Sequence, residues 1–474
     1  MNTVIHWFRR DLRLHDNTAL NAALESGARV IPLFIFDRRI YAGSRAAGAR
    51  TSFLLEGLKK LDDALRKQGS GLLIRHGEPA IVLQQLLEAA SADKIFFNRD
   101  YSPYARQRDR QIHDLFGAER VHAAHDLLLH PPTTVMTNAG SPYTVFTPFK
   151  RAWLSKTKQP PHTAGGRFHN LEDIDSAVLP ALADLSATCT IELPEAGEAA
   201  ALRRLERFAE HTLSSYDAGR DYVYAQPWLE KPQGTSALSP YLRLGFLSVR
   251  QAYAAAVSAE SATISPAARE SIATWISELA WRDFYTHILY HFPQVVARSF
   301  REEYDRVEWR DASDEYDAWV AGMTGYPIVD AAMRQLQQTG WMHNRARMIV
   351  ASFLTKDLLH DWRRGEAHFM RHLLDGDPAA NNGGWQWSAG TGTDAQPYFR
   401  IFNPVSQSQK CDPEGMYIRH FIPELRDVPT EYIHAPWMMP SPPSRYPRPI
   451  VDHAHARERA LAAFKLVRQQ SERS

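Results

Sequence analysis

"VIHWFRRDLRLHDN", residues 4–17, decides how the first quarter of this chain is read. Its first five residues are apolar but for His6, and a dense run of charge stops them. That is the pattern of a strand buried on both faces. Working outward, "RVIPLFIF" (29–36), "GLLIRHG" (71–77) and "KIFFN" (94–98) repeat it. Between them, "NTALNAALESG", "ARTSFLLEGLKKLDDALRKQG" and "PAIVLQQLLEAASAD" carry apolar residues at spacings of three and four, the period of a helix with one buried face. The alternation predicts an α/β domain over residues 1–130, a Rossmann-like parallel sheet with helices on both faces. Such sheets bind ligands beyond the carboxyl ends of their strands. Here "RRDLRLHDN" stands where a glycine fingerprint would, so ordinary dinucleotide binding is disfavoured.

Residues 155–197 lack sustained periodicity and carry Pro and Gly, and 131–197 reads as an interdomain connection. From 198 to 474 the patterns are almost all helical, which predicts an all-α second domain. The length of 474 residues suits two to three domains, and a hydrophobic content of 44% is ample for their cores. Charge is balanced, 55 Lys and Arg against 54 Asp and Glu, so a basic surface for nucleic acid has to be local. Two cysteines, Cys189 and Cys411, exclude a disulfide framework and fit a reducing cytoplasm. Charge follows the short apolar start too soon for a signal peptide, and no window suits a membrane span. Nine of the twelve tryptophans stand at or after Trp275.

Four stretches of the second domain carry chemistry. "GTSALSPYL" (234–242) sets Thr235, Ser236 and Ser239 before a helical pattern, as a phosphate site or an ordinary N-cap does. "WISELAWRDFYTHI" (275–288) puts Trp275, Glu278, Trp281, Arg282 and Tyr285 on one helical face, opposite Ile276, Leu279, Ala280 and Phe284. A carboxylate beside large aromatics suits a flat, hydrogen-bonding ligand, and equally a surface helix with an ion pair. "WMHNRARM" (341–348) aligns Asn344, Arg347 and Met348, an amide for a base edge and a guanidinium for an anion, or a solvated face. "DGDPAANNGGWQW" (375–387) adds Asp375, Asp377, Asn381 and Asn382; it lacks the loop of a calcium site, and no metal is expected. The overlapping "NNGGWQWSAGTGTD" (381–394) reads as a polar loop, broken at Gly383 and Gly384, that sets out two indoles, Trp385 and Trp387.

Together with "VFTPFKRAWL", "ELAWRDFY", "GYPIVDAAMRQL", "KDLLHDWRRGE" and "DAQPYFRIFNP", these blocks resemble the cryptochrome/photolyase family over nearly the whole chain, and within it the bacterial class I cyclobutane pyrimidine dimer enzymes. The resemblance implies a light-driven carbon–carbon lyase. Reduced FAD would pass an electron to a pyrimidine dimer flipped out of UV-damaged DNA, the dimer would split, and the electron would return. It implies FAD contacts from Tyr216, Thr235, Ser236, Leu238, Ser239, Trp275, Arg282, Arg347, Asp375, Asp377 and Asn381. Asn381 would face the reactive flavin nitrogen, near an Arg347–Asp375 ion pair that favours an anionic reduced flavin. The dimer would lie against Trp281, Trp387 and Met348, with Glu278 and Asn344 bonding to its edges; Glu278, Asn344, Met348 and Asn381 would be the catalytic set. Burial would raise the pKa of Glu278 and keep it a donor. Trp385, Trp362 and Trp309 match the family's electron-hopping chain, and Arg220, Arg345, Arg400 and Gln407 its DNA contacts.

The match thins in two places. The stretch 221–233 is longer than the compact bacterial pattern, which weakens the carry-over of Arg220. The antenna positions, Arg50, Asp100, Tyr104 and Ala105, fit neither pattern fully. Tyr104 and Ala105 stand where folate binders have Asn-Glu; Tyr104 with Arg50 and Asp100 looks closer to deazaflavin binders, which often have Glu where Ser102 stands. 5,10-Methenyltetrahydrofolate is preferred over 8-hydroxy-5-deazaflavin because it is common among bacterial members. "HNRARM" and Asn381 favour dimer repair over the alternatives, a 6-4 photoproduct photolyase or a cryptochrome-like photoreceptor without repair. The family implies a monomer.

Overall fold

The computed structural model describes residues 2–41, 47–224, 234–395 and 397–473. Residues 225–233, most of the longer stretch after Arg220, lie outside the described residues. Among the described residues, six parallel strands form one sheet: β1 (Thr3–Phe8), β2 (Arg29–Phe36), β3 (Leu73–His76), β4 (Lys94–Asn98), β5 (Val121–Ala124) and β6 (Arg167–Phe168). The order is β3-β2-β1-β4-β5, with β6 also pairing with β2. The two-residue side-chain period divides the strands between two cores. Val4, Phe8, Val30 and Phe34 enter one, while Ile5, Trp7, Ile31 and Leu33 enter the other. Both faces are covered, by α1 (Thr18–Glu25), α2 (Gly48–Arg66), α3 (Pro79–Ala89) and α4 (Pro103–Phe116). The four expected strands and the first three helices form where their patterns place them. Sequence reasoning missed β5, a short "VHAA", and β6, whose two residues dock onto the sheet from within the aperiodic stretch.

The crevice between β1 and β4, where strand order reverses, holds part of the chain itself. Asn98 Nδ2 donates to Asp11 Oδ2 (2.6 Å) and to Asn17 Oδ1 (2.7 Å). Arg13 pairs with Asp126 (2.7 Å), and Arg250 reaches across from the helical part to Asp126 (2.7 Å) and Asp16 (3.0 Å). "RRDLRLHDN" is therefore a polar clasp between the sheet and the helices. Gly245, at φ +69°, is required by that approach, because a Cβ there would lie 2.0 Å from the Arg10 carbonyl oxygen.

After α5 (Phe146–Ser155), the helical part is built on α6 (Val249–Ala262) and the 26-residue α7 (Pro266–His291). Around them stand α8 (Asn344–Ser352), α9 (Trp362–His372), α10 (Pro378–Ala389) and α11 (His453–Arg473). One apolar core runs from β1 into α7, and a second surrounds Trp319, Trp362 and Trp385.

The expected polar loop over 381–394 is instead mostly α10. Asp377 caps it, accepting from the N–H groups of Ala379 (2.9 Å) and Ala380 (3.2 Å), Pro378 opens it, and Gly390 at φ +79° ends it. Two glycines inside a helix cost roughly 1 kcal/mol each. Tertiary contact offsets that cost: Trp385 is 2% exposed, and a Cβ at Gly383 would lie 2.1 Å from Cδ1 of Tyr285, so the glycine lets α10 lie close on α7. Both cysteines are free thiols. Among the described residues, no helix is long and apolar enough to cross a membrane.

Candidate functional site

The site is assembled where α7, α8 and α10 meet the turn at 234–239 and the segment 375–377. Helical spacing on α7 gathers Trp275, Glu278, Trp281, Arg282 and Tyr285, as expected; Trp275 is buried against Phe208, and the other four remain partly exposed. The turn carries positive φ at Gly234 (+63°) and Ala237 (+49°), with Arg204 Nε on the Ser236 carbonyl at 2.9 Å. Thr235 and Ser236 are half-buried, Leu238 is buried, and the Ser239 hydroxyl donates to Asp375 Oδ2 (2.6 Å). Tyr216 lies half-buried on the flank, edge-on to Phe208.

Charge is the site's strongest feature. Arg347 pairs with Asp375 at 2.8 Å, the ion pair expected of them. Arg10 pairs with Asp377 and, at 3.3 Å, with Asp100, while Arg243 donates to the Gly376 carbonyl (2.7 Å). Arg50 donates to the carbonyls of Leu373 (2.6 Å) and Met370 (3.0 Å), and Arg282 to that of Leu127 (2.6 Å). Guanidinium charge thus exceeds carboxylate charge in a poorly solvated space. Burial, then the neighbouring Arg10, pushes Arg243 down to about 9, and burial pushes Arg50 down to about 10. Burial opposes ionisation of Asp377, yet Arg10, Arg243 and Arg282 hold it at about 2. Such a site is completed by an anion with several acceptor oxygens, and it fits a diphosphate-bearing cofactor. Sequence reasoning missed Arg10 and Arg243, because neither spacing nor type separates them from ordinary surface arginines.

Next to the charges lies the aromatic part. Trp281, Trp387 and Met348 are half-buried, and Asn344 is exposed at the start of α8. Glu278 accepts an ion pair from Arg220 at 2.9 Å. Burial raises its pKa and Arg220 opposes the rise; the net direction is up. Arg345 is likewise committed, to Asp221 at 2.6 Å. Arg400 is exposed and Gln407 half-buried, on the chain that follows α10. Asn381 is buried and donates to the Glu366 carbonyl at 3.0 Å. Burial raises the Glu366 carboxyl, and that residue of the "WRRGE" stretch was not foreseen at the site.

The three tryptophans lie on adjoining elements. Trp385 (2% exposed) touches α9 at Gly365, one turn beyond Trp362 (1% exposed). Arg310 N donates to the Leu359 carbonyl (2.8 Å), which brings half-buried Trp309 beside the start of α9. A fourth indole, Trp319, is fully buried with its ring centroid 6.1 Å from that of Trp385. The antenna positions divide. Arg50 and Asp100 belong to the charged cluster, whereas the Tyr104 hydroxyl donates to Asp37 at the end of β2, and Ala105 is buried in α4 beside the Ser102 cap. Burial and Asp37 push Tyr104 up to about 12.

Residues 4–165 match the family described as DNA photolyase, and residues 275–466 match the FAD binding domain of DNA photolyase. A deoxyribodipyrimidine photo-lyase of Halobacterium salinarum is 43% identical, over 98% of this chain and 99% of its own. A solved bacterial class III photolyase from Agrobacterium tumefaciens superimposes with a TM-score of 0.90 at 38% identity, covering 99% of this chain and 98% of its own. A cryptochrome from Synechocystis superimposes with a TM-score of 0.87 at 30% identity, covering 98% and 99%.

Proposed function

The chain belongs to the cryptochrome/photolyase family, and on that premise we propose that it is a deoxyribodipyrimidine photo-lyase, which splits cyclobutane pyrimidine dimers in UV-damaged DNA under blue light. The observation that carries the reading is the buried surplus of guanidinium charge beside the 234–239 turn, next to a half-buried aromatic face. The first suits the diphosphate of FAD and the second suits the two linked pyrimidines of a flipped-out dimer. When bound and reduced, FAD supplies a light-excited electron to the dimer and takes it back after the ring opens.

Tyr216, Thr235, Ser236, Leu238 and Ser239 would hold its phosphates and ribityl chain. Trp275, Arg282, Arg347, Asp375, Asp377 and Asn381 would surround the rest. Trp281, Trp387 and Met348 would wall the dimer, with Asn344 at its edge. Protonated, Glu278 would donate its O–H to a dimer carbonyl oxygen as charge grows there, once Arg220 turns from it toward a DNA phosphate. Trp385, Trp362 and Trp309 would pass electrons inward from the surface. Arg220, Arg345, Arg400 and Gln407 would engage the DNA backbone, and the protein would act as a monomer. For the antenna, 5,10-methenyltetrahydrofolate remains the chosen ligand over 8-hydroxy-5-deazaflavin, near Tyr104 and Ala105. The absorption spectrum of the purified protein, with a near-ultraviolet or a blue band beyond those of FAD, discriminates the two.

The likeness to a cryptochrome gives a second reading, a photoreceptor without repair. One assay separates the readings: blue-light repair of an oligonucleotide with a single defined dimer, run beside a 6-4 substrate and a dark control. Repair of the dimer alone is expected. No repair of either substrate, with FAD bound and reduced, would overturn the lyase reading.

A further inference from the structure

The turn Thr391-Gly392-Thr393-Asp394 has no part in the roles above. It folds back on α10, with the N–H groups of Thr391 (3.0 Å) and Gly392 (3.1 Å) both donating to the Gln386 carbonyl. A Cβ at Gly392 would lie 2.9 Å from Cβ of Gln386, so the close return needs glycine. Beyond it, Asp394 adopts φ +45°. Its Oδ2 accepts the N–H of Phe146 at 3.0 Å, from a residue 248 positions away. The Thr393 hydroxyl donates to the Thr144 carbonyl.

Phe146 is the first residue of α5, whose own cap position is Val145, with no side chain to offer. A carboxylate there satisfies an orphan N–H and faces the positive end of the helix. The ring of Phe146, 7% exposed, lies flat on Trp281 with centroids 3.6 Å apart and planes 9° apart. Tyr285 leans on the same indole at 5.4 Å.

We propose that Thr393 and Asp394 are positioning residues that cap α5 from a distance and hold Phe146 stacked on Trp281, so that this indole is fixed before a lesion arrives. The inference rests on the reading of Trp281 as a wall for the dimer. The same turn bears on both walls, because its Thr391 and Gly392 N–H groups also satisfy a carbonyl in the last turn of the helix that carries Trp387. An indole free to turn must be ordered on binding, and that ordering is lost affinity for the lesion but not for undamaged DNA.

The test uses the full-length, FAD-loaded protein as Asp394→Ala, Phe146→Leu, Asp394→Asn and the Asp394→Ala/Phe146→Leu double variant, with Thr393→Val and Trp281→Ala beside them. One readout is the ratio of affinities for a dimer-containing duplex and the same duplex undamaged. The other is the ¹⁹F resonance of 5-fluorotryptophan at position 281, assigned with Trp281→Phe. Asp394→Ala and Phe146→Leu are expected to lower the ratio about fivefold, the size of a lost helix cap, and to shift the resonance. The double variant is expected to add little, and Asp394→Asn, whose amide oxygen still accepts, to recover both readouts. FAD content and affinity for undamaged DNA should not move. If Asp394→Ala fails to retain FAD, Phe146→Leu and Thr393→Val decide. Wild-type ratio and resonance in those variants, with a lowered ratio in Trp281→Ala, would overturn the inference alone. An unchanged ratio in Trp281→Ala removes the wall reading and the inference with it.

Discussion

Glu278 shows at the scale of one residue how local environment decides a role. Burial lifts its pKa and the Arg220 guanidinium at 2.9 Å pulls it back, so its protonation in the working pH range depends on where Arg220 points. A carboxylic acid that donates is active below its pKa, so repair yield per absorbed photon is expected to fall as pH rises through the raised value. Because Arg220 has turned away in the complex, Arg220→Gln should weaken DNA binding and leave the pH of that fall in place. Glu278→Ala should lower repair yield per photon more than dimer binding, because a positioned donor acts on the charge that develops during the reaction. Equal single-turnover flash yields in wild type and Glu278→Ala remove the residue from the mechanism. Trp309 is the matching case for electron entry: Trp309→Phe should repair normally once the flavin is reduced chemically, yet photoreduce slowly. Normal photoreduction in that variant breaks the Trp309 link. The types and spacing of these side chains were legible in the sequence. The pairings of the site were not: Glu278 with Arg220 and Arg345 with Asp221 join residues far apart in the chain, and Asn381 with Glu366 joins two different helices.

Among the elements, α10 teaches most. Its sequence opposes a helix at Gly383 and Gly384, and its packing against α7 and α9 overrides that local preference. The two glycines differ sharply in surroundings. Gly383 abuts Tyr285, while a Cβ at Gly384 would meet nothing within 4 Å. Gly384→Ala is therefore expected to be neutral or to stabilise by up to about 1 kcal/mol, since it removes freedom from the unfolded chain. Gly383→Ala should destabilise by roughly 1–3 kcal/mol through overpacking and weaken FAD retention, because Asn381 rides on the same helix. Thermal unfolding and flavin content check the pair, and equal effects of the two substitutions would contradict the packing account. Reading 381–394 as a loop weighed propensity without the neighbour that reverses it.

For the whole molecule, the clasp of Arg13 and Arg250 on Asp16 and Asp126 ties the sheet to the helices through buried charge. Asp126→Ala leaves two guanidiniums without a full complement, and is expected to cost about 3–5 kcal/mol and separate the unfolding of the two parts. Differential scanning calorimetry should then show two transitions; a single unshifted transition would deny the clasp its role. The strand-and-helix alternation, the helical second part and the chemistry-bearing motifs were all determined by the sequence alone. Period and residue type are local properties, and burial on one or two faces writes them directly into the chain. Only the tertiary structure decided that part of "RRDLRLHDN" forms a polar clasp in the crevice, that Arg10 and Arg243 join the charged site, and that Asp394 caps a helix 248 residues away. Those are contacts between groups whose pairing is set by three-dimensional proximity, for which a linear pattern carries no period.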